Sequence, residues 1–562
     1  MKKVSDIIID FLVQKGVTDI FGYPGGAINH LIDSASKNDN ITAHVTYHEQ
    51  GAAFAACGYA QSSNKLGVAF STSGPGATNL ITGIANAFFD YTPALFITGQ
   101  VDSPTYKGNL KIRQRGFQET NIASMVKEVT KYVACIMKPE EVLYELEKAY
   151  YIAFDGAPGP VVLDICNDVQ RAEVDTDNLK HYETPQKGVE LSDISPIIDA
   201  LRGAKRPVIL AGNAIKQNKM ETLFRQIVEE SNIPCVFSMP AYDTLPYHHA
   251  LNYGFIGPNG HRYSNFIVNK ADCVFVIGNR LSIREIGLKR DTFAPNSKII
   301  RVDVDNEQLN YKAHDDEISI CADLKSLLPQ FHMVLEYNNL PAYSEWIEVC
   351  NHIKNDLFHY DLQEYDKIIT TISNKSADDT IVTSDVGQNQ IWVARSFENR
   401  GYQHTYMSAG NGAMGYSIPA AIGVYYATHK PVIAFMGDGG LMMNVQEMQF
   451  IKREKLNIKI VCLNNRSLGM IKAWQDRYLE HNSLTSEDSG YCPVDLKKLA
   501  YAFDFDYSLI QIESDLDGID LLSPNPMLIE VKCPPQDTFP RDNMKDQYPF
   551  IDRALFDKIA KL

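Results

Sequence analysis

Short apolar runs recur along this chain, separated by longer stretches in which apolar residues return every three or four positions. That alternation is the pattern of buried parallel strands joined by helices. The runs fall into three groups. The first holds residues 19–22, 67–71, 94–98 and 161–165; the second 208–210, 235–238, 273–277 and 299–304; the third 380–383, 431–435, 458–463 and 527–531. The prediction is an α/β protein of three parallel-sheet domains, at residues 1–170, 190–330 and 360–535, with a C-terminal tail at 536–562 lying on the surface. Residues 171–190 are polar, carry a proline and have no period, so they read as a linker. Residues 340–363 read as a polar helical connection.

Length supports this division, because 562 residues exceed what one compact core organises. A hydrophobic share of 45% and a charged share of 22% suit a globular enzyme. The formal net charge of −16, with no basic tract, argues against a nucleic-acid footprint and against docking on an anionic membrane. The ten cysteines show no CxxC or metal-ligand spacing, which points to reduced thiols and a cytoplasmic protein. Two lysines and an apolar stretch open the chain, but Asp6 and Asp10 interrupt it and no small-residue cleavage site follows. An amphipathic helix is expected there. No apolar run reaches the roughly 20 residues of a membrane span.

The strongest chemical signal lies in the third group. The strand 431–435 runs into Met436-Gly437-Asp438-Gly439-Gly440, and the strand 458–463 ends in Asn464-Asn465. Asp438 and Asn465 are 27 positions apart, the length of one crossover between neighbouring parallel strands. Both then sit at carboxyl ends of strands, where α/β sheets bind ligands. Glycines let backbone N–H groups approach phosphate oxygens. Asp438 and the Asn465 amide oxygen are hard ligands suited to Mg²⁺, with the Ser467 carbonyl to complete the set. A plain glycine turn capped by an aspartate is the simpler reading of GDG alone; the NN pair at this spacing argues against it.

The GDG…NN arrangement resembles the cofactor motif of thiamine diphosphate enzymes. Gly22-Tyr23-Pro24-Gly25-Gly26, Tyr47-His48-Glu49-Gln50-Gly51-Ala52, Ser73-Gly74-Pro75-Gly76-Ala77-Thr78-Asn79, Thr98-Gly99-Gln100-Val101 and Phe117-Gln118-Glu119 resemble the acetolactate synthase branch of that family, in the same order along the chain. The resemblance covers nearly the whole chain. It implies a pyrimidine-binding, a central FAD-type and a diphosphate-binding domain. Glu49 is then the carboxyl group that shares a proton with the aminopyrimidine and promotes ionisation of the cofactor. Its neighbours Gly51–Ala56 are small and apolar, a surface suited to desolvating a carboxyl. Pro75 and Asn79 fall to the same cofactor. Ser408–Gly415 resembles the segment that grips the aminopyrimidine, Gly412 through its carbonyl and Met414 as a wedge between the rings. Gly387 and Gln388 resemble a diphosphate contact, although Asn389 stands where a histidine is usual.

Gly469-Met470-Ile471-Lys472-Ala473-Trp474-Gln475 resembles the segment that closes over substrate, with Met470 and Trp474 lining the acceptor pocket and Met470 also expected to contact the thiamine diphosphate. Gly26, Phe117 and Gln118 complete the expected substrate set, and Gln118 is expected to contact the reaction intermediate. The implied reaction is decarboxylation of pyruvate and transfer of the two-carbon unit to a carbonyl acceptor. FAD, held without a redox role, is implied by Gly212, Asn213, Gly257, Arg280, Asp303 and Asp323 in the middle domain, where glycines and an arginine suit a pyrophosphate and a carboxylate suits a ribose. Ala157 stands where the family has an arginine that helps hold the adenine.

Three departures bear on the acceptor. Arg113-Gln114-Arg115-Gly116 precedes Phe117, Asn167 replaces the lysine of a Pro-Lys-Asp-Val segment, and 546–551 resemble acetolactate synthase-like proteins of surface-sugar pathways. A keto-sugar nucleotide, for branched-sugar synthesis, therefore competes with pyruvate or 2-ketobutyrate as the acceptor. Three further readings are a 2-keto acid decarboxylase, a pyruvate oxidase and an inactive cofactor-binding partner subunit. Trp474 argues against the first of them, and intact Glu49, Asp438 and Asn465 against the last. The resemblance also implies a homodimer or homotetramer, because the cofactor spans the first domain of one subunit and the third of another.

Overall fold

Each apolar run predicted to be a strand is one, and each lies in the interior of a sheet. The computed structural model describes residues 1–186, 192–337, 340–358 and 362–534. It contains three six-stranded sheets, parallel throughout. The first runs Thr42–Val45, Asp19–Gly22, Gly67–Ser71, Ala94–Gln100, Val161–Cys166, Tyr132–Ile136 from edge to edge. The third runs Thr405–Met407, Ile381–Ser384, Val432–Gly437, Ile458–Asn464, Met527–Lys532, Asp506–Ile510. Counted along the chain, both orders are 2-1-3-4-6-5. The middle sheet runs Asn252–Phe255, Cys235–Phe237, Pro207–Ala211, Cys273–Ile277, Lys298–Asp303, Ile318–Cys321, the order 3-2-1-4-5-6.

The four inner strands of every sheet match the predicted runs. The two edge strands of every sheet do not appear among them. Thr42–Val45, Tyr132–Ile136, Ile318–Cys321 and Asp506–Ile510 are each partly exposed, so no continuous apolar run marks them. Asn252–Phe255 and Thr405–Met407 are largely buried, but three or four residues with a polar start carry too little signal.

The first and third units meet through the helix that follows the second strand of each, Glu49–Ser63 and Ser417–Thr428. Neither helix has an exposed apolar stripe of its own, since Gly51–Ala60 and Ser417–Val424 are buried without a break. Glycine makes the close approach possible. A Cβ at Gly58 would lie 2.3 Å from the Ala420 carbonyl oxygen, and one at Gly423 only 1.8 Å from that of Ala55. One hydrophobic core runs through both units, from Phe21, Phe54 and Phe96 to Tyr416, Ile422 and Ala434.

The middle unit has its own core around Phe224, Phe237, Phe275 and Phe331. The polar connection expected at 340–363 belongs to it: helix Ser344–Phe358 buries Trp346, Cys350, Ile353 and Leu357 there, and the Trp346 Nε1 donates to the Pro207 carbonyl at 3.0 Å. Their spacings of four, three and four positions are those of an amphipathic helix. The described part of the 171–190 linker follows the first unit, with Glu173–Val174 paired antiparallel to Lys2–Lys3. The expected first helix spans Val4–Gln14. The 536–562 tail lies outside the described residues. No described helix is long and apolar enough to cross a membrane.

Candidate active site

The order 2-1-3-4-6-5 opens a crevice where the chain leaves strands 1 and 3 in opposite directions, outside their carboxyl ends. In the third sheet those strands end at Ser384 and Gly437, followed by Asp385-Val386-Gly387-Gln388 and Asp438-Gly439-Gly440; strand 4 delivers Asn465 beside them. The Asn465 Nδ2 donates to the Gln388 Oε1 at 2.7 Å, and the Asn465 Oδ1 accepts from the Ser467 amide at 3.1 Å. A Cβ at Gly469, where the helix Gly469–Tyr478 begins, would fall 2.0 Å from the Gln388 Oε1. Gln388, Asp438, Asn465 and Ser467 are all buried.

Asp438 carries the metal question. Its Oδ2 accepts from the Tyr491 hydroxyl at 2.9 Å, while its Oδ1 is buried without a hydrogen-bond partner. Burial pushes its carboxyl up to about 6, the Tyr491 contact working against this. An orphaned oxygen on a buried carboxylate is costly unless a cation meets it. Among the described residues no cluster of three His, Cys, Asp or Glu side chains offers a metal cage. One carboxylate with an amide oxygen and a backbone carbonyl suits Mg²⁺, which takes its remaining ligands from phosphate and water.

Asp385, which no motif marked, organises the rest. It accepts from the Gly415 amide at 2.9 Å and the Tyr416 amide at 3.0 Å, fixing the end of the 408–415 segment. Burial pushes it up to about 7 against those bonds. A Cβ at Gly440 would lie 2.0 Å from its Oδ2. The Met414 Cε reaches within 3.4 Å of the Cβ position of Gly439, and Gly412 (φ +61°) faces Val386. The structure thus gathers Gly387, Gln388, Gly412, Met414, Gly437, Asp438, Gly439, Gly440, Asn465 and Ser467 around one crevice. Met470 is half-buried on the Gly469–Tyr478 helix, and Trp474 on the same helix is 54% exposed.

The first sheet builds a second cluster at the equivalent end. Glu49 opens the Glu49–Ser63 helix, where a carboxylate meets the positive end of the helix dipole. Its Oε2 accepts from the Asn79 Nδ2 at 2.9 Å, and its Oε1 lies 3.2 Å from the Cβ position of Gly76. Pro75 is the first residue of the Pro75–Asn79 helix. Gly74 has φ +65°, and a Cβ there would press on the Gln118 backbone at 2.9 Å. Gln118 is thereby held against the turn that leads into Glu49's own contacts. Phe117 is 86% exposed and Gly26 is exposed with open space around it. Asn167 donates to Asp102 at 2.9 Å rather than standing free.

Two third-unit residues, also unmarked by motif, reach into this cluster. The Glu447 Oε1 accepts from the Tyr47 amide at 3.0 Å, and the Asn444 Nδ2 donates to both the Gln50 Oε1 (3.0 Å) and the Gly415 carbonyl (2.9 Å). Among the described residues, no hydrogen bond joins Glu49 to Asp438, Asn465 or Met414 within one chain.

The middle sheet changes direction between Pro207–Ala211 and Cys273–Ile277, and Gly212 and Gly278 stand at those two strand ends. A Cβ at Gly212 would lie 2.0 Å from the Gly278 carbonyl oxygen. Asn213 and the half-buried Arg280 flank them; Gly257 (φ +114°) and Asp303 lie further along the same rim. Asp323 is exposed and its carboxylate accepts from the Lys325 amide at 2.9 Å, in the first turn of the helix Leu324–Tyr337.

Family models for the thiamine pyrophosphate enzymes match all three units: the N-terminal binding domain at residues 2–125, the central domain at 194–331 and the C-terminal binding domain at 385–529. An acetolactate synthase large subunit from Lactococcus lactis is 35% identical over 541 residues, covering 94% of this chain and 92% of its own. The chain belongs to the acetolactate synthase large-subunit family of thiamine pyrophosphate enzymes. The isozyme 2 large subunit of Escherichia coli is 32% identical, covering 97% of this chain and 96% of its own. A chloroplastic acetolactate synthase of Nicotiana tabacum is also 32% identical, covering 86% and 73%. Within this acetolactate synthase-like frame, the two matched binding domains are the units whose strand ends carry Glu49 and Asp438.

Proposed function

We propose that this chain is a thiamine diphosphate- and Mg²⁺-dependent carboligase that decarboxylates pyruvate and joins the two-carbon unit to a carbonyl acceptor. The observation that carries the reading is the partnerless, buried Asp438 Oδ1 at the carboxyl end of one strand of a matched cofactor-binding domain, with Asn465 and Ser467 following the neighbouring parallel strand. Mg²⁺ fits those three groups, and the diphosphate fits the glycine turn Gly437–Gly440 with Gly387 and Gln388. Bound thiamine diphosphate supplies a nucleophilic carbon and an electron sink for decarboxylation. The protein's own part is positional: Glu49 holds a proton against the aminopyrimidine, Gly412 and Met414 fix its ring, and Asn79 orients Glu49.

Residues 1–170, 190–330 and 360–535 serve as pyrimidine-binding, FAD-type and diphosphate-binding domains in this reading. FAD suits the middle rim through Gly212, Asn213, Gly257, Arg280 and Asp303; Asp323, spent as a helix cap, is the weakest of that set. Glu49 and Asp438 belong to one site only if two chains meet, so the working form is a homodimer or a homotetramer. The free cysteines support a reducing, cytoplasmic setting.

The test is product analysis with thiamine diphosphate, Mg²⁺, FAD and pyruvate alone. Acetolactate as the main product makes pyruvate the acceptor. Slow release of CO₂ or acetaldehyde with little acetolactate moves the reading to another acceptor, and a keto-sugar nucleotide is the one that the neutral Asn167 favours. No CO₂ release at all sinks the reading.

A further inference from the structure

The stretch Lys107–Gly116 is a surface loop whose closure is set by one carboxylate. Glu119 accepts from the Lys107 amide (2.8 Å), the Arg115 amide (2.8 Å) and the Gly116 amide (3.0 Å), so both ends of the loop are tied to one point. Those three backbone donors hold the Glu119 carboxyl below the usual range against its own desolvation. The Gln114 Nε2 adds a bond to the Glu119 carbonyl at 3.1 Å. Lys107 turns its ammonium back onto the Ile112 and Arg113 carbonyls, at 3.1 and 3.2 Å. What projects outward is Lys111, Arg113 and Arg115, all exposed, interleaved with the exposed apolar side chains Leu110, Ile112 and Phe117.

These three cations have no acidic partner among the described residues. The nearby acids are committed elsewhere: Glu119 to the loop's backbone, Asp168 to the Ser103 amide (2.8 Å) and hydroxyl (2.6 Å), Asp102 to Asn167 and Arg171. On a chain of net charge −16, an unneutralised cluster of three is a local reversal of the field. It is too small for a nucleic-acid footprint. It is also attached to the candidate active site, because Glu119 follows Gln118, whose backbone packs on Gly74 beside Glu49's contacts.

We propose that this loop is the binding arm for an acceptor that carries a diphosphate ester, with Lys111, Arg113 and Arg115 taking the phosphate charge. Guanidinium groups bind phosphate oxygens in pairs, and Ile112 and Phe117 offer apolar faces for an attached base or sugar ring. The acceptor class is a carbonyl compound activated as a nucleoside diphosphate. A simple 2-keto acid, with one carboxylate, does not need three cations on a preformed arm. The inference rests on the carboligase reading and extends it to the second substrate.

The experiment uses protein saturated with thiamine diphosphate, Mg²⁺ and FAD, so that the other phosphate sites are filled. UDP, CDP, GDP and dTDP are titrated by calorimetry into the wild type and into the triple variant Lys111→Gln, Arg113→Gln, Arg115→Gln. At least one nucleotide is expected to bind the wild type, with affinity lowered about 10- to 100-fold in the variant and likewise weakened by salt. CO₂ release from pyruvate should not change. The proposal is overturned if none of the four binds the wild type, if the variant binds as tightly, or if the variant loses CO₂ release or FAD affinity. Failure of the carboligase reading is separate: it shows as absence of CO₂ release in the wild type, whatever the nucleotides do.

Discussion

Glu447 is 400 positions from Tyr47 in the chain and 3.0 Å from its amide, two residues before Glu49. Its carboxyl is wholly buried, its Oε2 has no partner, and a Cβ at Gly51 would lie 2.6 Å from its Oε1. Burial raises it from 4.5 to about 7, the Tyr47 and His48 amides working against this. A carboxyl raised on folding keeps a proton that the unfolded chain has released. Its contribution to stability is therefore complete below about 4.5 and lost as pH rises through about 7. Asp385, raised to about 7, and Asp90, raised to about 6, act in the same direction. Glu447→Gln, which keeps the acceptor for the Tyr47 amide, should flatten the fall of melting temperature of cofactor-free protein across that window. An unchanged slope would remove Glu447 from the account. At Glu49 the expectation is different in kind. Glu49→Gln should leave cofactor binding intact and lower kcat by about 10²- to 10⁴-fold, the range of a lost proton-sharing group. Full activity in that variant would refute its assignment.

At the scale of elements, the pair Glu49–Ser63 and Ser417–Thr428 connects two cofactor-binding ends. The first helix begins at Glu49, and the second begins two residues after Gly415, at the end of the Gly412–Met414 segment. Their separation is set by glycine, not by side-chain choice. Gly423→Ala would place a methyl group 1.8 Å from the Ala55 carbonyl oxygen, so the helices must part or slide. We expect a loss of about 1–3 kcal/mol in stability together with weaker thiamine diphosphate binding, measured by denaturant unfolding and by cofactor titration. A loss of stability with unchanged cofactor affinity would show that the helix pair is a core element only. Gly518→Ala, where a Cβ meets open space, is the control.

For the whole molecule, the helix Gly469–Tyr478 has no buried residue, and Ile471, Trp474 and Tyr478 are 54%, 54% and 62% exposed. Met443 is exposed as well. In the proposed dimer or tetramer, apolar side chains of this size on ends that carry candidate site residues are the ones expected to be covered. Sedimentation should find a dimer or tetramer at micromolar protein. Mixing inactive Glu49→Gln with inactive Asp438→Ala should then restore part of the activity, as one kind of mixed site receives both intact residues. A monomer with full activity, or no recovery in properly mixed dimers, would contradict a site shared between chains.

The inner strands and the strand-end position of the GDG and NN turns were legible in the sequence, because burial on both faces and phosphate chemistry leave continuous local signals; Glu49 was marked by the family resemblance, and its role is part of the proposal. The edge strands were less so, being marked only by weak or short patterns, and the helix Ser344–Phe358 was legible as a helix but not as part of the middle core. Asp385, Asn444, Glu447 and Tyr491 carried no local mark. An isolated acid or amide acquires its role from a partner that the chain brings back after tens or hundreds of residues. Tertiary structure alone decided those contacts, the shared core between the first and third units and the grip of Glu119 on the cationic loop, since each depends on backbone groups whose approach no spacing in the sequence encodes.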